Sequence, residues 1–276
     1  MKLWALIIQT FYELKAKATL AVLAGISTLI ILFLLVSLSS VETADGVRVV
    51  IFGNPITPAL PPEKLSDVVL QLQAGLANGL YAGLVLFGVF ATASIIPDAL
   101  EKGSVDLYLS KPLPRWELLI GKYLGAIAVV LINVVYFIGA LWLIFGIRLG
   151  VWNVQLLLSA FTLTFVYGCL YSIVVYFGVV SRNTAISIIG AFLYLFVVSN
   201  ALYHRKEFLY LASSNQLYRG VLDGLYYILP QLSPISDSIQ RQITNQKIDA
   251  MPFVQSFLSS TVIFLGSVAI LRKKDF

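Results

Sequence analysis

Charge is scarce in this sequence. Only 12% of its 276 residues are Asp, Glu, Lys or Arg, against 59% hydrophobic residues, about half the charge of an ordinary soluble domain. Apolar runs of about twenty residues recur, the length that crosses a bilayer. A soluble globular domain is excluded, and the six runs with their connections leave no room for a separate catalytic one. Cysteine and histidine occur once each, which excludes an intrachain disulfide and a cysteine or histidine metal cluster. Cys169 sits inside an apolar run and reads as a small packing residue. His204 stands at the end of a span beside Arg205 and Lys206, without the partners that nucleophile–base chemistry needs. No ionisable residue falls in the middle of a span, and Lys122 lies near a span end, where its stem can reach the interface. Proton-coupled carriers need an intramembrane relay, so that class is disfavoured; sodium, which carbonyls and hydroxyls alone can hold, is not excluded. No internal repeat marks an inverted-repeat carrier.

What is present is a membrane chain. Spans are expected at about 18–38, 75–96, 118–145, 154–180, 184–202 and 252–271. Six spans put both termini on one side. All of the net charge of +5 falls on that side, and most basic residues opposite lie in one long loop. Short basic loops mark the cytoplasm, so both termini are expected there. The excess charge thus belongs to membrane orientation, not to nucleic acid. Glu13, Lys15 and Lys17 interrupt the N-terminus, so it is not read as a cleavable signal. Residues 3–14 place Trp4, Ile7, Ile8 and Phe11 on one helical face, the pattern of an interfacial helix; the plainer alternative is an early start to the first span.

Two segments are expected outside. Residues 39–73 hold a Pro-rich turn and then a short amphipathic helix with Leu65, Val68, Val69 and Leu72 on one face. In 203–251, the stretch Leu217–Leu229 is apolar but too short to cross. It reads as a re-entrant or interfacial helix stopped by Pro230. Within the spans the polar side chains are mild. Asn133, Thr164, Tyr167, Tyr171 and Ser172 either bridge helices, the favoured reading, or line a path for an amphiphilic cargo. Gly75, Gly79 and Gly83 at four-residue spacing mark a close helix–helix face, within the subunit or at a dimer seam.

The densest charge lies between the second and third spans, from Pro97 to Tyr123. Pro97 can open a helix without losing a bonded N–H. Residues 98–109 are expected to form a short helix bearing Asp98, Glu101, Lys102 and Asp106, broken at Ser110-Lys111-Pro112. Pro112 and Pro114 stiffen the turn before Trp116. Ile120-Gly121-Lys122 is not a phosphate loop: Trp116 occupies the first required Gly and Tyr123 replaces Ser or Thr. No nucleotide site is expected in this chain.

The order Glu101, Gly103, Ser104, a leucine-rich stretch, Pro112, Pro114, Arg115 and then Gly121-Lys122 resembles the signature of type-2 ABC transporter permeases. Glu101 and Gly103 stand one residue closer than in that form, and Ser104 replaces Thr. The tail Leu271-Arg-Lys-Lys-Asp-Phe276 and Leu229-Pro230 are similar too. In size and layout the chain is similar to the permease serving nitrous-oxide-reductase maturation, a likeness that carries no substrate. The resemblance implies one all-α membrane domain over residues 1–276. It would have six spans, an N-terminal elbow helix, a cytoplasmic coupling helix, and short re-entrant or interfacial helices before the last span. It implies that Asp98, Glu101, Lys102, Gly103, Ser104, Lys111, Pro112, Pro114, Arg115, Gly121 and Lys122 couple to a separate ATP-binding cassette subunit, which holds ATP and Mg. It also implies a second permease subunit and a prokaryotic inner (plasma) membrane. Export of a hydrophobic or amphiphilic substrate is the expected function. The alternatives are an ATP-driven assembly that works on an extracytoplasmic partner and, with less support, an ion-coupled carrier or a membrane enzyme.

Overall fold

A computed structural model describes residues 2–43, 46–59, 61–100, 114–213 and 215–273 of the chain. Six of its helices are long and apolar enough to cross a membrane: Thr19–Ser37, Lys64–Ala99, Trp116–Leu149, Val154–Ser181, Thr184–Tyr203 and Met251–Lys273. These coincide with the six expected spans, and large apolar side chains such as Leu29, Val36, Ile147, Phe161, Ile189 and Val262 point outward from them. In water such a surface would be untenable; against acyl chains it is the natural one.

The fourth span is the axis of the packing. In its most apolar stretch 78% of residues are buried, against 11% in the first span. A helix that is apolar on every side belongs in the interior, and Leu163, Val166, Leu170, Val174 and Val175 are enclosed. The first span is peripheral, touching the third through a hydrogen bond from Asn133 Nδ2 to Ser27 Oγ (3.0 Å).

Helix α1 (Lys2–Ala16) precedes the first span, α2 (Thr19–Ser37), and is separate from it. Ala18 between them adopts φ 56°, a left-handed conformation that ends one helix before the next begins. The early-start alternative is thereby replaced by two helices.

On the face opposite the chain ends the polypeptide forms a small sheet. Strand β1 (Leu38–Thr43) pairs antiparallel with β2 (Gly46–Ile51), which pairs with β3 (Asn54–Pro55). Phe52 and Gly53 between β2 and β3 both have positive φ, 49° and 79°, as the tightest hairpin turn requires. The Pro-rich turn expected here is therefore the end of a small sheet. Helix α3 (Pro62–Thr92) then runs unbroken into the membrane, so the amphipathic helix and the second span expected as separate pieces are one rod. No proline interrupts it, and glycine in a helix costs only about 1 kcal/mol, less than leaving backbone groups unbonded in lipid.

After the short helix α4 (Ile95–Ala99) and the segment 101–113 come α5 (Arg115–Leu149), α6 (Val154–Ser181) and α7 (Thr184–Leu193). The fifth span continues through one π-helical turn, Tyr194–Val198, into α8 (Ser199–Tyr203). Beyond it lie α9 (Leu209–Ala212), α10 (Gln216–Ile228) and α11 (Leu232–Ile243), before the last span α12 (Met251–Lys273). Helix α10 occupies the stretch expected to be a short non-spanning helix. Asn215 caps its start by accepting from Leu217 N (2.9 Å), and it stops before Pro230. Helix α11 buries Leu232, Ile235, Ile239 and Ile243 along one stripe against the second and fourth spans.

Candidate coupling site at the face of the chain ends

Two glycines in α5 decide how α1 lies. A Cβ at Gly121 would stand 2.5 Å from Leu6 Cβ, and one at Gly125 would stand 2.7 Å from Thr10 Cβ. Only hydrogen fits between the two backbones, so α1 seats directly on the first turns of the third span. Leu6, Thr10 and Leu14 are buried in that contact, while Trp4, Ile8 and Phe11 point away from it. Thr10 Oγ1 donates to Leu6 O (2.8 Å) and so needs no other acceptor in the seam.

The same seam carries charge. Lys122 Nζ donates to Glu13 Oε2 at 2.5 Å, with the lysine side chain 1% exposed and the glutamate 35%. A buried ammonium survives only when paired, and removing one partner of such a pair costs several kcal/mol when both are deep; the half-open glutamate lowers that figure here. One turn after Glu13, Lys17 Nζ pairs with Asp98 and donates to Ser94 Oγ (3.3 Å). Asp98 lies in α4, whose Pro97 is buried within the first helical turn, where a missing N–H costs nothing. The helix thus starts at Ile95, two residues before the expected Pro97. Helix α1 and the short link after it therefore hold both roots of the 101–113 segment: Asp98 before it and Lys122 after it.

Of the residues singled out for coupling, Asp98, Gly121 and Lys122 meet α1 or Lys17, and Pro114 is extended (φ −67°, ψ 142°) at the start of α5, whose first residue is Arg115. Glu101, Lys102, Gly103, Ser104, Lys111 and Pro112 lie outside the described residues, as does most of the expected 98–109 helix. Glu13, Lys17 and Ser94 were not singled out. Their one signal in the sequence was the four-residue spacing of Glu13 and Lys17, which sets both on one helical face.

The five polar residues considered for a pathway are buried and bonded within the chain. Tyr167 and Thr92 share a hydroxyl hydrogen bond (2.7 Å), Tyr171 donates to Thr92 O (3.0 Å), and the two rings stack at 5.4 Å. Thr164 and Ser172 donate to Ala160 O and Cys169 O of their own helix. Asn133 holds Ser27. Gly75 and Gly79 have nothing within 4 Å of an added Cβ, and Gly83 only Phe87 of its own helix. Among the described residues, no other helix of the subunit meets that stripe closely.

No curated protein matches the chain. A family model described as ABC-2 family transporter protein matches residues 79–271, well over half of the sequence, and reaches across the last four spans to Leu271. The chain belongs to the ABC-2 family, the membrane subunits of ABC transporters that work with an ATP-binding partner.

Proposed function

We propose that this subunit drives export of a hydrophobic or amphiphilic substrate from a prokaryotic inner membrane, using ATP that a separate cassette subunit binds with Mg and hydrolyses. The observation that carries the reading is the double tie at the coupling segment. Lys17 holds Asp98 on one side of it, and Glu13 holds Lys122 on the other. An ATPase docked on residues 98–115 would displace both roots together, and α1 with them. The left-handed break at Ala18 would let α1 turn without dragging the first span. Closure of the ATPases would in this way spread the membrane helices toward the outside, with both termini cytoplasmic. A second permease subunit would meet the open Gly75, Gly79 and Gly83 face of α3, since bare glycine stripes in lipid favour a partner helix.

The test is a charge exchange in the complex expressed with its native neighbours. Asp98→Lys and Lys17→Asp are each expected to uncouple ATP hydrolysis from substrate, and the double variant to restore coupling. Equal coupling in all four proteins would falsify the lever. A chain that purifies alone, with no stoichiometric ATPase at its side, would overturn the assignment itself.

A further inference from the structure

On the face opposite the chain ends, α3, the fifth span and α11 enclose a cavity of about 360 Å³. Its polar lining includes Asn78, Asn200, Tyr203, His204, Ser236 and Asp237. A second cleft of about 830 Å³ adjoins it, lined by Asp67, Gln71, Asp237 and Arg241 among others. Asp237 is the residue common to both.

The walls of the smaller cavity are pinned. The π-helical turn at Tyr194–Val198 disturbs the ladder of the fifth span, and Asn200 Nδ2 reaches back to Leu195 O (3.4 Å) and Phe196 O (3.1 Å). Asn200 Oδ1 accepts from Ser233 Oγ (3.1 Å), and Tyr194 Oη donates to Pro230 O (2.7 Å). Such single π turns interrupt helices most often at functional positions. Tyr203 Oη donates to Asp237 Oδ2 (2.7 Å), which fixes the carboxylate. Its second oxygen receives no donor among the described residues. Asn78 accepts weakly from Ser236 (3.5 Å), and its amide N–H groups have no acceptor among them. The rings of Tyr81, Phe196 and Tyr203 also line it.

A fixed carboxylate with one free oxygen, set among aromatic rings, is the chemistry that recognises an ammonium group. The neighbouring cleft agrees in sign, since Asp67 and Asp237 outnumber Arg241. His204, also in the lining, turns its Nδ1 to Glu207 Oε2 at 3.0 Å. We propose that this cavity is a binding site for an ammonium-bearing ligand, either the headgroup of an aminolipid or a soluble amine. The site stands independently of whether the chain transports what binds there.

The two sources separate in one experiment on the intact complex without nucleotide. Native mass spectrometry counts the lipids retained from vesicles of equal phosphatidylethanolamine and phosphatidylglycerol, and calorimetry measures free ethanolamine and choline. Asp237→Asn keeps the acceptor for Tyr203 but removes the charge, and is expected to weaken ammonium binding about tenfold or more. Asn78→Asp adds a second carboxylate and is expected to tighten it, which decides the matter should Asp237→Asn fold poorly. Selective retention of phosphatidylethanolamine that follows these variants assigns the lipid source; binding of the free amines that follows them assigns the soluble one. Absence of binding by either probe, or binding indifferent to both substitutions, overturns the proposal.

Discussion

Single side chains hold this molecule at a few points where separate elements meet, and Asn153 is the clearest. Its Oδ1 caps the fourth span by accepting from Gln155 N (3.0 Å), while its Nδ2 donates to Gln73 Oε1 (2.9 Å) and Ile243 O (3.0 Å). Asn183 caps the fifth span in the same way but is exposed. Losing an N-cap costs about 1 kcal/mol, and leaving buried partners unsatisfied adds about 1–3 kcal/mol. Asn153→Ala is therefore expected to lower the melting temperature in detergent distinctly more than Asn183→Ala. Equal shifts would mean that the junction carries no weight. A second point is Asp223. The Tyr210 hydroxyl (2.6 Å) and the Arg205 guanidinium (2.7 Å) donate to its carboxylate, and these bonds hold it below the usual carboxylate range. Because the folded group is the more acidic, its contribution is present above the ordinary Asp value and is lost as pH falls through the folded one. Hydrogen exchange across 205–223 should stay slow at neutral and mildly acidic pH and quicken only below that range. Asp223→Asn should loosen the segment at every pH. Protection that already fades near neutrality would contradict this.

At the scale of elements, the seat of α1 on α5 depends on the absence of two side chains. Gly121→Ala or Gly125→Ala would force a methyl group against Leu6 or Thr10, and overpacking of this kind costs about 1–3 kcal/mol. Each variant should melt earlier, and Leu6→Gly, which removes the Cβ nearest Gly121, should partly restore the Gly121→Ala protein. A melting point unmoved by either glycine change would show that the helices do not touch. Much of this level was legible beforehand, for a plain reason: hydropathy adds up along a window, so the spans declare themselves without knowledge of their neighbours. A helix ahead of the first span followed from the apolar face of residues 3–14, and the 217–229 helix from its apolarity and short length. The small sheet was not foreseen, although Val47 to Phe52 is rich in β-branched and aromatic residues. Its strands are short and lie between two apolar spans, and the prolines that follow, Pro55 and Pro58, are turn formers. The glycine stripe of α3 leaves its partner open. Four-residue spacing states that a helix can be approached closely, not that one does so within the same chain. Among the described residues, the approaches that would bring an added Cβ under 3.0 Å are at Gly121, Gly125, Gly146 and Gly190, of which only Gly121 and Gly125 share that spacing.

For the molecule as a whole, the ties that matter join residues far apart in sequence, which explains what could not be read from it. Glu13 and Lys122 are 109 positions apart, and Lys17 and Asp98 are 81. No local pattern announces either pair; only the bundle brings them together. The ammonium cavity is hidden for the same reason, since Asn78, Tyr203 and Asp237 come from three separate helices. The orientation that the export proposal assumes can be checked directly. Cys169 is the only cysteine and is buried, so Cys169→Ala gives a blank background. With an impermeant thiol reagent on intact cells, Thr43→Cys and Gln246→Cys should label from outside. Lys15→Cys should label only after permeabilisation. The reverse pattern would turn the protein over in the membrane and with it the direction of transport.

The seat of α1 also has a consequence for biosynthesis. Helix α1 and the link after it leave the ribosome before the partners they close on, Asp98 and then Lys122. Until the third span has been made, Glu13 and Lys17 must wait with their charges in water. Assembly of that span is thus the moment at which α1 is captured. A nascent chain halted before Lys122 should leave α1 open to protease, and one halted well beyond it should not.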